Sequence, residues 1–410
     1  MRRLTVLVLF ALLLAPAVAF AAQSAVSSSS AAAVAAQPQE RDDPGGFVSE
    51  LARKQTQEMQ TREIERYWND LRTQYGGYFP EGKLPEIKQL MFPEGKPWSM
   101  GQALTGLLRY FLHEVLYNGK LLVTIVLLTV FTMILETMQT AFERNTVSKV
   151  AYAIAYLVLL ILAVNSFRIA TSYAEEAIQN MVQFMLAMIP LLLTLLASTG
   201  NITSVAVLHP LIVFMIHTVG TFIHLFVFPL LFFSAVLHLV SSISDRYKVT
   251  QLANFLRSAG VTLLGLMGTM FLGVLSIQGA TGAVADGVAM RTAKFVTGNF
   301  VPVVGKMFSD AADTVLSASL LMKNAIGLAG IIVLLFLCAF PAMKVAVLAL
   351  IYNLAGAVLQ PLGNSPIVVC LQTIGKVLLY VFAALASVGL MFFLAITIIL
   401  TAGNAALMIR

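Results

Sequence analysis

Residues 181–220 read MVQFMLAMIPLLLTLLASTGNITSVAVLHPLIVFMIHTVG, without a single Asp, Glu, Lys or Arg. The charge-free block is longer still, 68 residues from 177 to 244. As one helix it would reach roughly 100 Å at about 1.5 Å per residue, whereas a bilayer's hydrocarbon core takes only about 20 helical residues. The block must therefore fold back, and Ser198-Thr199-Gly200-Asn201 supplies the turn chemistry. The run from 202 to 243 is long enough for two spans, broken near Gly220 and Thr221 or kinked at Pro210 or Pro229.

Composition extends that reading to the whole chain. Of 410 residues, 59% are hydrophobic and 11% charged, against roughly 25% charged in a soluble domain. Charge is also unevenly spread: 22 charged residues fall between 23 and 119, and 22 more across the three-fold longer remainder. A polar N-terminal region thus precedes a membrane domain. The net charge of +6 comes with no basic cluster, which argues against nucleic acid and for Lys and Arg anchoring loops at a membrane face. Cys338 and Cys370 have no Cys or His at ligand spacing, so two buried thiols are expected, with no disulfide framework, zinc site or other cofactor.

Met1-Arg2-Arg3, an apolar run and AVAFAA form a secretory signal over 1–22, cleaved near Ala21 or Ala22 or kept as an anchor. The following region is expected outside the cytoplasm. Residues 23–46, rich in Ala, Ser and Gln, read as a disordered linker. Residues 47–117 read as an extracytoplasmic region with amphipathic helices. There Ile64, Trp68, Leu71 and Tyr75 share one helix face, stopped by Gly76-Gly77. Two FPEGK copies, at 79–83 and 92–96, bracket a short helix, and 99–117 forms an amphipathic helix at the membrane interface.

The transmembrane domain is 118–410, and within it 278–325 is an amphipathic or re-entrant segment. Spans are expected at 120–139, 150–167, three within 177–244, 258–277, 326–340, 345–359 and 377–400. The fold class is therefore all-α, a polytopic membrane protein with about seven to nine spans. Arg144 with Lys149, and Arg246, Lys248 and Arg257, mark two cytoplasmic loops, which makes a loop at Glu175 and Glu176 external.

HEVLYNGKLLVTIVLLTVF at 113–131 and AFERNTVSKVAYAIAYLVLLILAVNSF at 141–167 closely resemble the stage III sporulation protein AE family of endospore-forming bacteria. GNFVPVVGKMFSDAADTV at 298–315 resembles that family's second well-marked block. The resemblance runs from about residue 84 to the C-terminus. It implies a membrane component of the channel, or secretion-like complex, between mother cell and forespore, needed for endospore formation and late forespore gene expression. It implies a place in the mother-cell (outer forespore) membrane. The partners it implies are other proteins of the stage III A operon, including a secretion-type ATPase and a ring-forming membrane protein, and the forespore stage II protein Q across the intermembrane space. It carries no catalytic residues.

No HExxH, Gly-x-Ser-x-Gly or GxxxxGK[ST] occurs, so three enzyme constellations lack their residues. His209, His217, His224 and His238 lie in the charge-free block, with His217 and His224 on one helix face. They read either as a proton path or metal site, or as neutral interhelical hydrogen-bonders. Glu136 is an acid within the first span and reads as pairing with Arg144 or as a transport group. Around the Pro302 turn, Asp286, Arg291, Lys294, Lys306, Asp310 and Asp313 form the candidate polar pathway or subunit contact. The alternative function is a self-contained proton- or ion-coupled secondary transporter using His217, His224 and Glu136.

Overall fold

The computed structural model describes residues 62–79, 84–92, 100–141, 146–243, 249–300, 304–362 and 366–408. The signal peptide, the linker, residues 47–61 and most of both FPEGK copies lie outside them. Among the described residues there is no strand.

Helix α1 (Arg62–Tyr75) buries the expected face of Ile64, Trp68, Leu71 and Tyr75. Glu63 and Glu65 in its first turn and Arg72 in its last complement the helix dipole. A 3₁₀ turn (Gly76–Tyr78) ends it, and the short α2 (Ile87–Met91) follows. The Trp68 indole donates to the Pro85 carbonyl at 2.8 Å, tying α1 to the segment before α2.

Among the described residues, six helical runs are long and apolar enough to cross a membrane. They are α3 (Met100–Tyr117) with α4 (Gly119–Ala141); α5 (Thr146–Ser198); α6 (Ile202–Phe222) with a π turn (Ile223–Val227) and α7 (Phe228–Ile243); α8 (Thr250–Phe300); α9 (Val304–Leu359); and α10 (Pro366–Met408). The apolar stretches are 36 to 49 residues long, about 54–74 Å against a hydrocarbon core of about 30 Å. Each rod is about twice the length one crossing needs.

Six such runs among the described residues stand beside the expected seven to nine spans, and they join segments that the sequence separates. Glu175 and Glu176 lie inside the unbroken α5 and not in a loop. Pro210 is carried within α6, and Gly220 is no break: a Cβ there would press on Val182 of α5, so this glycine serves close packing. The two short apolar pieces at 326–340 and 345–359 are one helix, α9. The turn at 198–201 is where the residues place it, with Gly200 at φ 86° in the left-handed conformation that ends helices.

Side-chain contacts fix the packing. Helices α5 and α9 run antiparallel, with Met188 against Gly330 and the Tyr352 hydroxyl donating to the Leu162 carbonyl. Helices α8 and α6–α7 are also antiparallel, with Gly282 beside Ser204 and the Ser234 hydroxyl donating to the Ala253 carbonyl. One end of the bundle, called proximal here, therefore gathers residues near 146, 243, 250, 359 and 366. The distal end gathers those near 198, 202, 300, 304 and 400. Helices α9 and α10 form the centre, with 61% of their most apolar window buried against 17% for α3–α4. Gly327 sits under Leu400, Gly356 against Gln372, Gly375 against Asn353 and Gly389 against Cys338, the small-residue packing that membrane helices favour. Cys338 and Cys370 are buried, and neither is joined in a disulfide.

The N-terminal helices pack halfway along this bundle. Trp68 lies 5.9 Å from Phe336, Tyr75 stacks on Phe340 at 3.7 Å, and Tyr67 meets Phe184 edge-on at 5.3 Å. Burial pushes the Tyr75 hydroxyl up to about 12, with the Glu176 and Glu114 carboxylates adding to the effect. The exposed face of α1 carries Glu63, Arg66 and Asp70.

Candidate functional site

Between α5 and the α6–π turn boundary, on the opposite side of α5, a cleft of about 460 Å³ opens. Its polar rail on α5 is Glu175, Gln179 and Gln183, spaced i, i+4 and i+8 so that they stand above one another. Facing them are His217 and Thr221 from α6 and His224 from the π turn. The His224 Nδ1 is 3.5 Å from Glu175 Oε1, and both side chains are open to the surroundings, 64% and 37% exposed. The remaining walls are apolar, with Ile178, Val182 and Phe228 among them.

The π turn has a geometric consequence. One extra residue in a helical turn rotates everything after it by about 100°, and π turns recur at functional sites. His217 and His224 share the cleft, and His238, further along on α7, is outside its lining. His209 is exposed on α6, also outside the cleft. The pairing carboxylate, Glu175, lies two residues before the charge-free block. Its i, i+4, i+8 relation to Gln179 and Gln183 was the sequence signal for it. Among the described residues no group of three or more His, Cys, Asp or Glu side chains could hold a metal ion.

The six residues around Pro302 do not form one described cluster. Asp286 is 2% exposed on α8, and its carboxylate accepts from the Thr203 amide at 2.9 Å and the Ser204 amide at 3.0 Å. Those are the second and third residues of α6, whose N-terminal amides have no intrahelical acceptor. Asn201 makes no side-chain cap there. Asp286 is thus an N-cap supplied from 83 residues away. Arg291 is exposed on α8. Lys294 lies on α8, and Lys306, Asp310 and Asp313 lie in the first turns of α9; their side chains are outside the described residues, as are 301–303. Helices α8 and α9 continue without a break from the apolar spans on either side. Glu136 is half-buried on α4, and its expected partner Arg144 is outside the described residues.

Six apolar helical runs long enough to cross a bilayer, two of them a glycine-packed central pair, define an all-α polytopic membrane protein. The chain matches the profile of the family described as Stage III sporulation protein AE over residues 84–403. It is 51% identical over 372 residues to Stage III sporulation protein AE of Bacillus subtilis (strain 168), covering 91% of this chain and 93% of that protein. No solved structure matches. The chain belongs to the stage III sporulation protein AE family, and its role is in sporulation. That family is not a known family of enzymes.

Proposed function

We propose that the chain is a non-enzymatic membrane component of the channel, or secretion-like complex, between mother cell and forespore. It sits in the mother-cell (outer forespore) membrane and serves late forespore gene expression. Its partners are the other stage III A-operon proteins, including the secretion-type ATPase and the ring-forming membrane protein, and stage II protein Q across the intermembrane space. The 51% identity to the Bacillus subtilis protein carries this reading.

The fold supports a particular placement. Arg144, Lys149, Arg246 and Lys248 mark the proximal connections in the sequence, and short loops rich in Lys and Arg stay cytoplasmic. Two long helical runs between these loops preserve that assignment, because two crossings return the chain to the same side as four. The distal half is then extracytoplasmic. Arg168, Glu175 and Glu176 form a polar level on α5 that begins 19 residues above Lys149, where a core of about 20 helical residues ends. The charged outer face of α1 supports the same frame, since α1 packs at and beyond this level and would be costly in lipid. A distal half outside the hydrocarbon gives a membrane-anchored platform in the intermembrane space. Arg291, Lys294, Lys306, Asp310 and Asp313 lie in its last turns and are proposed as the subunit contact.

Affinity purification from sporulating cells tests the reading. The ring protein and the ATPase are expected to co-purify, and replacing Asp310 and Asp313 with Ala should cut late forespore gene expression while the protein still accumulates. Normal sporulation of that double variant would remove the contact assignment. Failure of both partners to co-purify would remove the complex itself.

A further inference from the structure

The cleft on α5 has a composition that selects a ligand class, independently of the sporulation role. We infer that it binds an organic ammonium group attached to an apolar body. The oxygen set is Glu175, Gln179, Gln183 and Thr221, with one formal negative charge. An anion would meet Glu175 first, and a divalent ion would keep half its charge unbalanced beside apolar walls. A single positive charge is matched. A charged ammonium offers several N–H donors, and the carboxylate and carboxamide oxygens accept them.

Size separates an organic cation from a bare ion. At about 460 Å³ the cleft has some fifteen times the share of one water molecule, about 30 Å³. A bare alkali ion would leave most of that space to water, which Ile178, Val182 and Phe228 do not hold well. An amine with a hydrocarbon portion fills both kinds of wall. Glu175 and His224 lie at the proximal end of the cleft, beside Leu225 and Phe226, which are 57% and 51% exposed. A molecule lying against these two side chains reaches Glu175 without crossing the protein. His224 already faces Glu175 across 3.5 Å, so an entering ammonium takes over that carboxylate. The π turn that holds His224 is the element such binding would move.

The same chemistry is offered by a phosphatidylethanolamine headgroup and by a soluble amphiphilic amine. The full chain in nanodiscs containing equal phosphatidylethanolamine and phosphatidylglycerol, released for native mass spectrometry, distinguishes them when hexylamine is titrated in a parallel thermal-shift series. Retention of phosphatidylethanolamine over phosphatidylglycerol is expected, falling about tenfold in Glu175→Gln, the loss expected when a charge-assisted hydrogen bond is removed. Gln179→Leu should lower it too, and His209→Gln, outside the cleft, should leave it unchanged. Hexylamine protection that is lost in Glu175→Gln, without lipid selectivity, would support the site and name a soluble amine as its source. Equal retention of both lipids with no hexylamine effect, or undiminished binding by Glu175→Gln when that variant unfolds like the parent, would overturn the inference.

Discussion

Two carboxylates in otherwise apolar rods, Asp286 on α8 and Glu175 on α5, have opposite fates. Asp286 is 2% exposed and uses both oxygens on the first amides of α6. Glu175 is 37% exposed on a cleft wall and faces one imidazole. The first is consumed by the fold, because buried amide donors at a helix start need an acceptor. The second has acceptor capacity to spare and an opening to use it through. An acid in a membrane helix is therefore informative only once its partners are counted.

Substitutions can break this contrast. Asp286→Ala leaves amides of Thr203 and Ser204 without an acceptor and is expected to cost about 3 kcal/mol, read as a lowered midpoint of thermal unfolding in detergent. An unchanged midpoint would mean that the cap contributes nothing. Gly282→Ala drives a methyl group toward Ser204 at the same joint, at a cost of about 1–2 kcal/mol. The double variant with Asp286→Ala should cost less than the two together, because both loosen the α6–α8 contact. Asp286→Asn keeps an acceptor and loses the charge, so about 1 kcal/mol is expected in the same assay. Glu175→Gln should shift stability by no more than about 0.5 kcal/mol, since an exposed pair contributes little. A loss as large as that of Asp286→Ala would place Glu175 among the structural acids as well.

Much of the fold was legible because it rests on local pattern. The face of Ile64, Trp68, Leu71 and Tyr75 is buried as its spacing requires. Gly200 ends α5 where a left-handed residue was needed. Where each helix continues or breaks was not legible, since it depends on what each glycine and acid touches. Gly220 reads as a breaker until Val182 is found against it. Glu175 and Glu176 read as a loop until α5 is seen to extend far beyond the thickness of the hydrocarbon core. The role of Asp286 was beyond reach for the same reason, because its partners are 83 and 82 residues away. Glu175 was within reach through Gln179 and Gln183, although it lies two residues outside the charge-free block that holds the histidines.

The central claim is that only the proximal half of each long helix lies in lipid, with the distal half projecting into the extracytoplasmic space. Single cysteines at two exposed distal positions, Ile202 and Phe214, and two exposed proximal ones, Leu157 and Phe233, test it directly. The background is a chain whose buried Cys338 and Cys370 are replaced by Ala. Labelling with a membrane-impermeant maleimide applied from the extracytoplasmic side should modify positions 202 and 214 and spare 157 and 233. Protection of 202 and 214 with modification of 157 or 233, or protection of all four, would contradict the placement.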